Sequence, residues 1–163
     1  MSNDKCCPLF DPAPWDEEIH TWSEKVFLRA TVPQIFHMPV PFMYGRTIGK
    51  MWEQAKKCGI MPAAEKDYLM LSYELSPSKA ELYLAVTGEH PEAQTVKLSG
   101  SYLSKVFDGP YRNVPKYLLE MDDYAIAERK KIAKYYLFYA YCPKCAKKYK
   151  HNYIVVLAEI APS

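Results

Sequence analysis

The stretch KVFDGPYRNVPKYLLEMDDY, Lys105 to Tyr124, decides how the rest of the chain reads. Its second half predicts a helix from Asn113, because Val114, Tyr117, Leu118, Met121, Tyr124 and Ala125 recur on one face, and Pro115 falls in the first turn, where its missing amide costs nothing. Its first half closes a strand, TVKLSGSYLSKVF from Thr95, and Gly109-Pro110 supplies the turn. Two more apolar runs follow, KYYLFYAY from Lys134 and NYIVVLAEI from Asn152, joined by CPKCAKKYKH. The order is strand, helix, strand, strand.

The same order occurs upstream. QIFHMPVPF from Gln34 reads as a leading strand, and a helix from near Tyr44 carries Ile48, Met51, Trp52 and Ala55 on one face, with Gly59 placed to end it in the left-handed region. DYLMLSYEL from Asp67 and AELYLAVT from Ala80 form a hairpin across SPSK. The registers agree, since Tyr44 to Tyr111 and Tyr68 to Tyr135 are both 67 residues apart. Internal duplication is the economical reading. It divides the chain into a Pro/Trp-rich arm over residues 1–24 and one domain made of two repeats, about 25–90 and 91–163. The expected fold is α+β, with tandem strand-helix-strand-strand (SHS2-like) units forming a curved antiparallel sheet, two main helices and a central groove where a ligand would sit.

Composition sets the outer limits. A chain of 163 residues that is 49% hydrophobic and 25% charged has the composition of an ordinary globular domain, and disorder is not expected. The net charge of +2 implies no polyelectrolyte partner, so the lysine clusters around Lys130 and Lys147 read as solvated faces. MSNDKCCPLF lacks a basic segment followed by an apolar run, and no apolar stretch reaches the roughly 20 residues that span a bilayer, so neither a secretory signal nor membrane insertion is expected and the cytoplasm is the default location. Five cysteines there point to metal or redox chemistry rather than a disulfide framework. Fourteen tyrosines exceed what core filling needs. A ring with a polar tip suits a wet pocket wall as well as a core edge.

The doubled unit, with Gly109, Pro110 and Tyr111 before its second helix, resembles the GyrI-like small-molecule-binding superfamily. That group includes multidrug-sensing domains of transcription regulators, a DNA gyrase inhibitor, and stand-alone enzymes that hydrolyse cyclopropane-bearing genotoxins. CCPLFDPAPW and CPKCAKKYKHNY are similar to a stand-alone, hydrolase-type subgroup. The resemblance implies an aromatic hydrophobic or cationic small molecule as ligand, held on aromatic walls near a carboxylate. It also implies no nucleic-acid partner, because the sensors' helix-turn-helix segment has no counterpart here. A homodimer is left open.

Candidate residues follow from strand alternation. Glu159, embedded in VVLAEIA, is the carboxylate hardest to dismiss, either at a solvated strand end or buried as a general base. With the hydrolase resemblance, Glu159 would take a proton from water and a tyrosine, Tyr139, would donate a hydrogen bond to the carbonyl where charge develops. Trp52, Tyr68, Met70, Tyr83, Tyr136, Tyr141 and Glu74 are the candidate ligand contacts, although Trp52 lies on an apolar helix face and Glu74 and Glu81 read first as exposed strand residues. No Ser-His-Asp arrangement emerges from His20, His37, His90 and His151. Cys142 and Cys145 have the spacing of half a zinc site, and Cys6 and Cys7 on the arm would complete a four-thiolate structural zinc, with His151 as a substitute ligand; free or redox-active thiols remain the competing reading. Two other functions stay open beside the hydrolase: a binding module without turnover, and a zinc-tethered protein-interaction module.

Overall fold

The computed structural model describes residues 7–36 and 38–162, so Cys6 and His37 lie outside the described residues. The chain forms two compact units, Trp22–Ser99 and, around it in sequence, the residues up to Thr21 together with Gly100–Ser163.

In the unit Trp22–Ser99, strand β1 (Glu18–Ile35, whose first residues belong to the other unit) pairs antiparallel with β4 (Lys79–Ala85), which pairs antiparallel with β3 (Met70–Ser76). A two-residue strand, β2 (Met38–Pro39), folds back on the end of β1 and leads into helix α1 (Pro41–Lys57). One face of the sheet, carrying Leu28, Val32, Leu82 and Leu84, packs on Met51 and Ala55 of α1. In the second unit, β5 (Thr95–Asp108) pairs antiparallel with β7 (Tyr153–Ile160), which pairs antiparallel with β6 (Ile132–Tyr139), and helix α2 (Val114–Ala127) packs on Leu103, Phe107, Ile154, Val156 and Ala158. In each unit the last strand is central, flanked by the leading strand and the strand just before it in sequence. The duplicated α+β unit read from the sequence is therefore the observed one.

Both helices end alike. Gly59 at φ 69° follows α1 and the Ile60 amide donates to Ala55 at 3.0 Å; Arg129 at φ 57° follows α2 and the Lys130 amide donates to Ala125 at 2.8 Å. Each closes the last turn by the six-to-one bond of a Schellman cap.

Gly109 is required for a different reason. A Cβ there would run into the Tyr117 hydroxyl, whose ring is buried and stacked on Phe107 at 4.7 Å. The Gly-Pro-Tyr turn thus leaves room for the first buried residue of α2.

Two local expectations are corrected. The leading strand of the first unit is not QIFHMPVPF but β1, beginning at Glu18 inside what reads as an arm. Glu24 takes φ 49° in mid-strand and breaks the alternation that would have revealed it. CPKCAKKYKH is not a plain turn: Pro143–Tyr149 is a short helix, α3, with Pro143 in its first turn and Lys150 left-handed at its end.

Candidate active site

The face of the β5-β7-β6 sheet opposite α2 collects the polar groups. Across it, Tyr102 on β5, Glu159 on β7 and Lys134 on β6 stand in one row, and Ser104, Leu157 and Tyr136 in the next. Strand alternation dictates this grouping, because Leu103, Ala158 and Tyr135 between them point to α2.

The Tyr102 hydroxyl donates to Glu159 Oε1 at 3.3 Å. Its ring is fully buried and meets the buried ring of Tyr136 edge-on at 6.2 Å, and Lys134 Nζ lies 5.2 Å from the Tyr136 ring centre. Burial, with the nearby Glu159 charge and hydrogen bond adding to it, pushes the Tyr102 phenol up to about 12. Burial also raises Tyr136, partly offset by Lys134. Both phenols are therefore neutral donors at physiological pH.

Beside this row lies a second polar set. Ser104, fully buried, donates from Oγ to the Trp15 carbonyl at 2.6 Å, and His20 Nε2 is 2.9 Å from the same Oγ. A hydroxyl has one proton to give, so His20 is the donor to Ser104 and carries its proton on Nε2. Burial lowers the His20 pKa against the opposing pull of Glu18, consistent with a neutral ring. Trp15 lies tilted against His20, ring centres 4.5 Å apart, and edge-on to Phe138 at 5.7 Å; Phe10 meets Phe138 at 5.7 Å and Tyr153 at 5.4 Å. The N-terminal segment thus covers the Phe138 end of the face on which Glu159 stands.

Of the predicted site residues, Glu159 and Tyr136 come together here. Tyr139 does not: it sits on the α2 side of the sheet and packs against Tyr111 at 5.5 Å, so the tyrosine that meets Glu159 is Tyr102. Alternation within SYLSKVF put Tyr102 and Ser104 on one face, but only the strand register sets them opposite Glu159 and Leu157. Trp52, Tyr68 and Met70 belong to the α1 side of the other unit, where Trp52 and Met70 pack against the core and the Trp52 and Tyr68 rings are 5.0 Å apart. Tyr83, buried on the opposite face of that unit, donates to Glu81 at 2.6 Å, and Arg29 pairs with Glu81 at 3.5 Å. Glu74 is exposed and accepts from Gln34 at 3.3 Å.

Tyr141 belongs to the thiol region. Its buried hydroxyl accepts the Phe10 amide at 2.9 Å, and its ring meets Tyr149 at 4.8 Å. Cys7, Cys142 and Cys145 are thiols whose sulfurs lie within 4.8 Å of one another. Burial raises the Cys7 thiol well above its ordinary value. A second group, Cys58, His90 and Glu92, gathers its ligand atoms within the same distance in the Trp22–Ser99 unit. Either group could hold a metal ion.

An open depression of about 440 Å³ lies beside α3, lined by Asp108, Tyr111, Lys147 and His151 among others. Its Asp108–His151 pair, 2.7 Å apart, is half exposed, and it lies at the far end of β5 from Tyr102.

The model of the bacterial hydrolase family matches residues 1–160. The chain belongs to the bacterial hydrolase family. No curated protein matches it. Among solved structures, the C-terminal domain of EcmrR superposes with a TM-score of 0.66 at 10% identity, covering 91% of this chain and 99% of that one. A hydrolase from Listeria innocua superposes with a TM-score of 0.62 at 11% identity, covering 88% and 91%. EcmrR in its complex with DNA gives 0.64 at 11% identity, and there this chain spans 57% of the longer one. At such identities the likeness is one of fold, that of GyrI-like domains. No described helix of this family member is long and apolar enough to cross a membrane.

Proposed function

We propose that the chain binds a hydrophobic, aromatic small molecule and adds water to it, acting on electrophiles such as cyclopropane-bearing genotoxins. The observation that carries this reading is the contact between the Tyr102 hydroxyl and Glu159 beside the Tyr136 ring, a base and neutral donors among aromatic walls. Membership in a hydrolase family supports it.

The step balances simply. Water oxygen forms a bond to a cyclopropane carbon as the strained carbon–carbon bond breaks, and its electron pair moves into the conjugated carbonyl. Glu159 accepts the proton lost by water, and that proton returns to the carbonyl oxygen, so the net change is addition of one water. Tyr102, turning its proton from Glu159 to the substrate, or Tyr136 beside it, donates a hydrogen bond where negative charge develops. A structural zinc on the thiol group is proposed independently of this chemistry.

Incubation with an electrophilic cyclopropane compound tests it. A water adduct that forms only with protein, and is lost in Glu159→Gln, is expected. Tight binding of that compound with no adduct would leave a binding module and remove the enzyme.

A further inference from the structure

The N-terminal segment is held at two ends by different means. Toward the site, Trp15 takes the Ser104 hydroxyl on its carbonyl and Asp16 Oδ1 accepts the Val106 amide at 3.1 Å. At the other end, Cys7 Sγ accepts the Cys142 amide at 3.4 Å and the Cys7 carbonyl accepts the Tyr149 hydroxyl at 3.4 Å. Between them, Phe10 is pinned by its amide on Tyr141 and its ring on Phe138 and Tyr153.

The far anchor has the chemistry of a metal site. Three sulfurs from two distant parts of the chain converge within 4.8 Å, with Cys145 fully buried and Cys142 at the start of α3. Tetrahedral zinc with bonds of about 2.3 Å holds its sulfurs about 3.8 Å apart, within the 4.8 Å that bounds this cluster. An amide donating to a ligand sulfur is the outer-shell support such sites use. Soft thiolates select zinc over magnesium or calcium.

We propose that a zinc ion on Cys7, Cys142 and Cys145 is a lock that fastens the N-terminal segment over the sheet face bearing Glu159, so that metal loading controls whether that face is walled. Water supplies the fourth ligand. The lock itself stands without the proposed function; only its effect on ligand binding rests on that reading.

The test uses the full chain purified without chelators under reducing conditions. Metal analysis should find about one equivalent of zinc, lost in both Cys145→Ser and Cys7→Ser, and cobalt substitution should give a thiolate-to-metal charge-transfer band. Cys7→Ser leaves the buried thiol in place, so it reports on the lock even if Cys145→Ser fails to fold. Removing zinc should raise proteolysis within residues 7–17 by about tenfold or more while the remainder of Gly100–Ser163 stays resistant. Metal-free native protein would overturn the proposal. So would zinc retained in Cys7→Ser and lost in His90→Ala, which would assign the ion to the Cys58 group, or zinc loss with no change in proteolysis. None of these readouts requires turnover, so a chain that hydrolyses nothing leaves the lock intact, and a failed lock leaves the hydrolase reading open.

Discussion

Both units place a glutamate under a tyrosine hydroxyl on the sheet face away from the unit's helix, yet the two pairs are built differently. In the Trp22–Ser99 unit, Tyr83 donates to Glu81 at 2.6 Å and Arg29 adds its charge at 3.5 Å. In the other unit, Tyr102 reaches Glu159 at 3.3 Å, and the cation of that row, Lys134, lies over the Tyr136 ring. A short hydroxyl bond on one oxygen and a guanidinium on the other engage Glu81 from two sides. Glu159 keeps accepting capacity. The pairs look alike by residue type, but only Glu81 is held on both oxygens, and Glu159 is the carboxylate proposed for the chemistry.

The largest expected effect breaks this comparison directly. Glu159→Gln should cut water addition by about two to three orders of magnitude with little change in folding, as loss of a general base does. Glu81→Gln should leave turnover within about twofold and cost about 1 kcal/mol in denaturant unfolding, since Arg29 is partly solvated and loses only part of its stabilisation. Equal losses of activity in the two variants would mean that the chemistry does not reside on the Glu159 face.

The next effect is one of pH. The Tyr102 phenol rises from 10.0 to about 12 in the fold, chiefly by burial and then by the Glu159 charge. A folded pKa above the unfolded one gives stability that is complete below pH 10 and lost as pH climbs toward 12. The loss is on the order of 2–3 kcal/mol over that window. Denaturant midpoints measured across it should fall in the native protein and fall less in Tyr102→Phe. An unchanged slope would mean that Tyr102 is not the buried partner of Glu159.

How much of this was legible beforehand depends on the range of the interaction. The helices and most strands follow from periodicity, which is local, and Glu159 stands out because a charge in an apolar run is locally anomalous. Its partner was not legible. Choosing Tyr102 over Tyr139 requires knowing that β5 pairs with β7 with Tyr102 opposite Glu159, a register set by packing about α2 rather than by neighbours in sequence. The start of β1 was hidden by one residue, Glu24, in a backbone region that strands avoid. Cys7 meeting the Cys142 turn was anticipated from the chemistry of thiols, which narrows the partners more than alternation does.

A smaller effect concerns how each unit admits its helix. In the Gly100–Ser163 unit, Gly109 makes room for the Tyr117 hydroxyl, whereas α1 is entered through β2 and Pro41. Gly109→Ala should cost about 1–3 kcal/mol by crowding the buried ring. Adding Tyr117→Phe removes the clashing oxygen and should restore part of that loss in a double-mutant cycle. Simple additivity of the two would show that the glycine serves the turn and not the ring.

The smallest effect compares the two helix ends. Gly59 and Arg129 hold the same left-handed position, and a Cβ added at Gly59 would meet open space. Left-handed backbone costs a residue with a Cβ roughly 1–2 kcal/mol, against roughly 0.5–1 kcal/mol of extra chain entropy for glycine in the unfolded state. The first term wins at both sites. Gly59→Ala should therefore destabilise by about 0.5–1 kcal/mol, and Arg129→Gly, at an exposed position, should stabilise by a similar amount. Opposite shifts of about 2–4 °C in thermal midpoint are expected. If Arg129→Gly lowers the midpoint instead, the arginine side chain contributes more to its unit than the strain it imposes, and the likeness of the two helix ends is one of backbone shape alone.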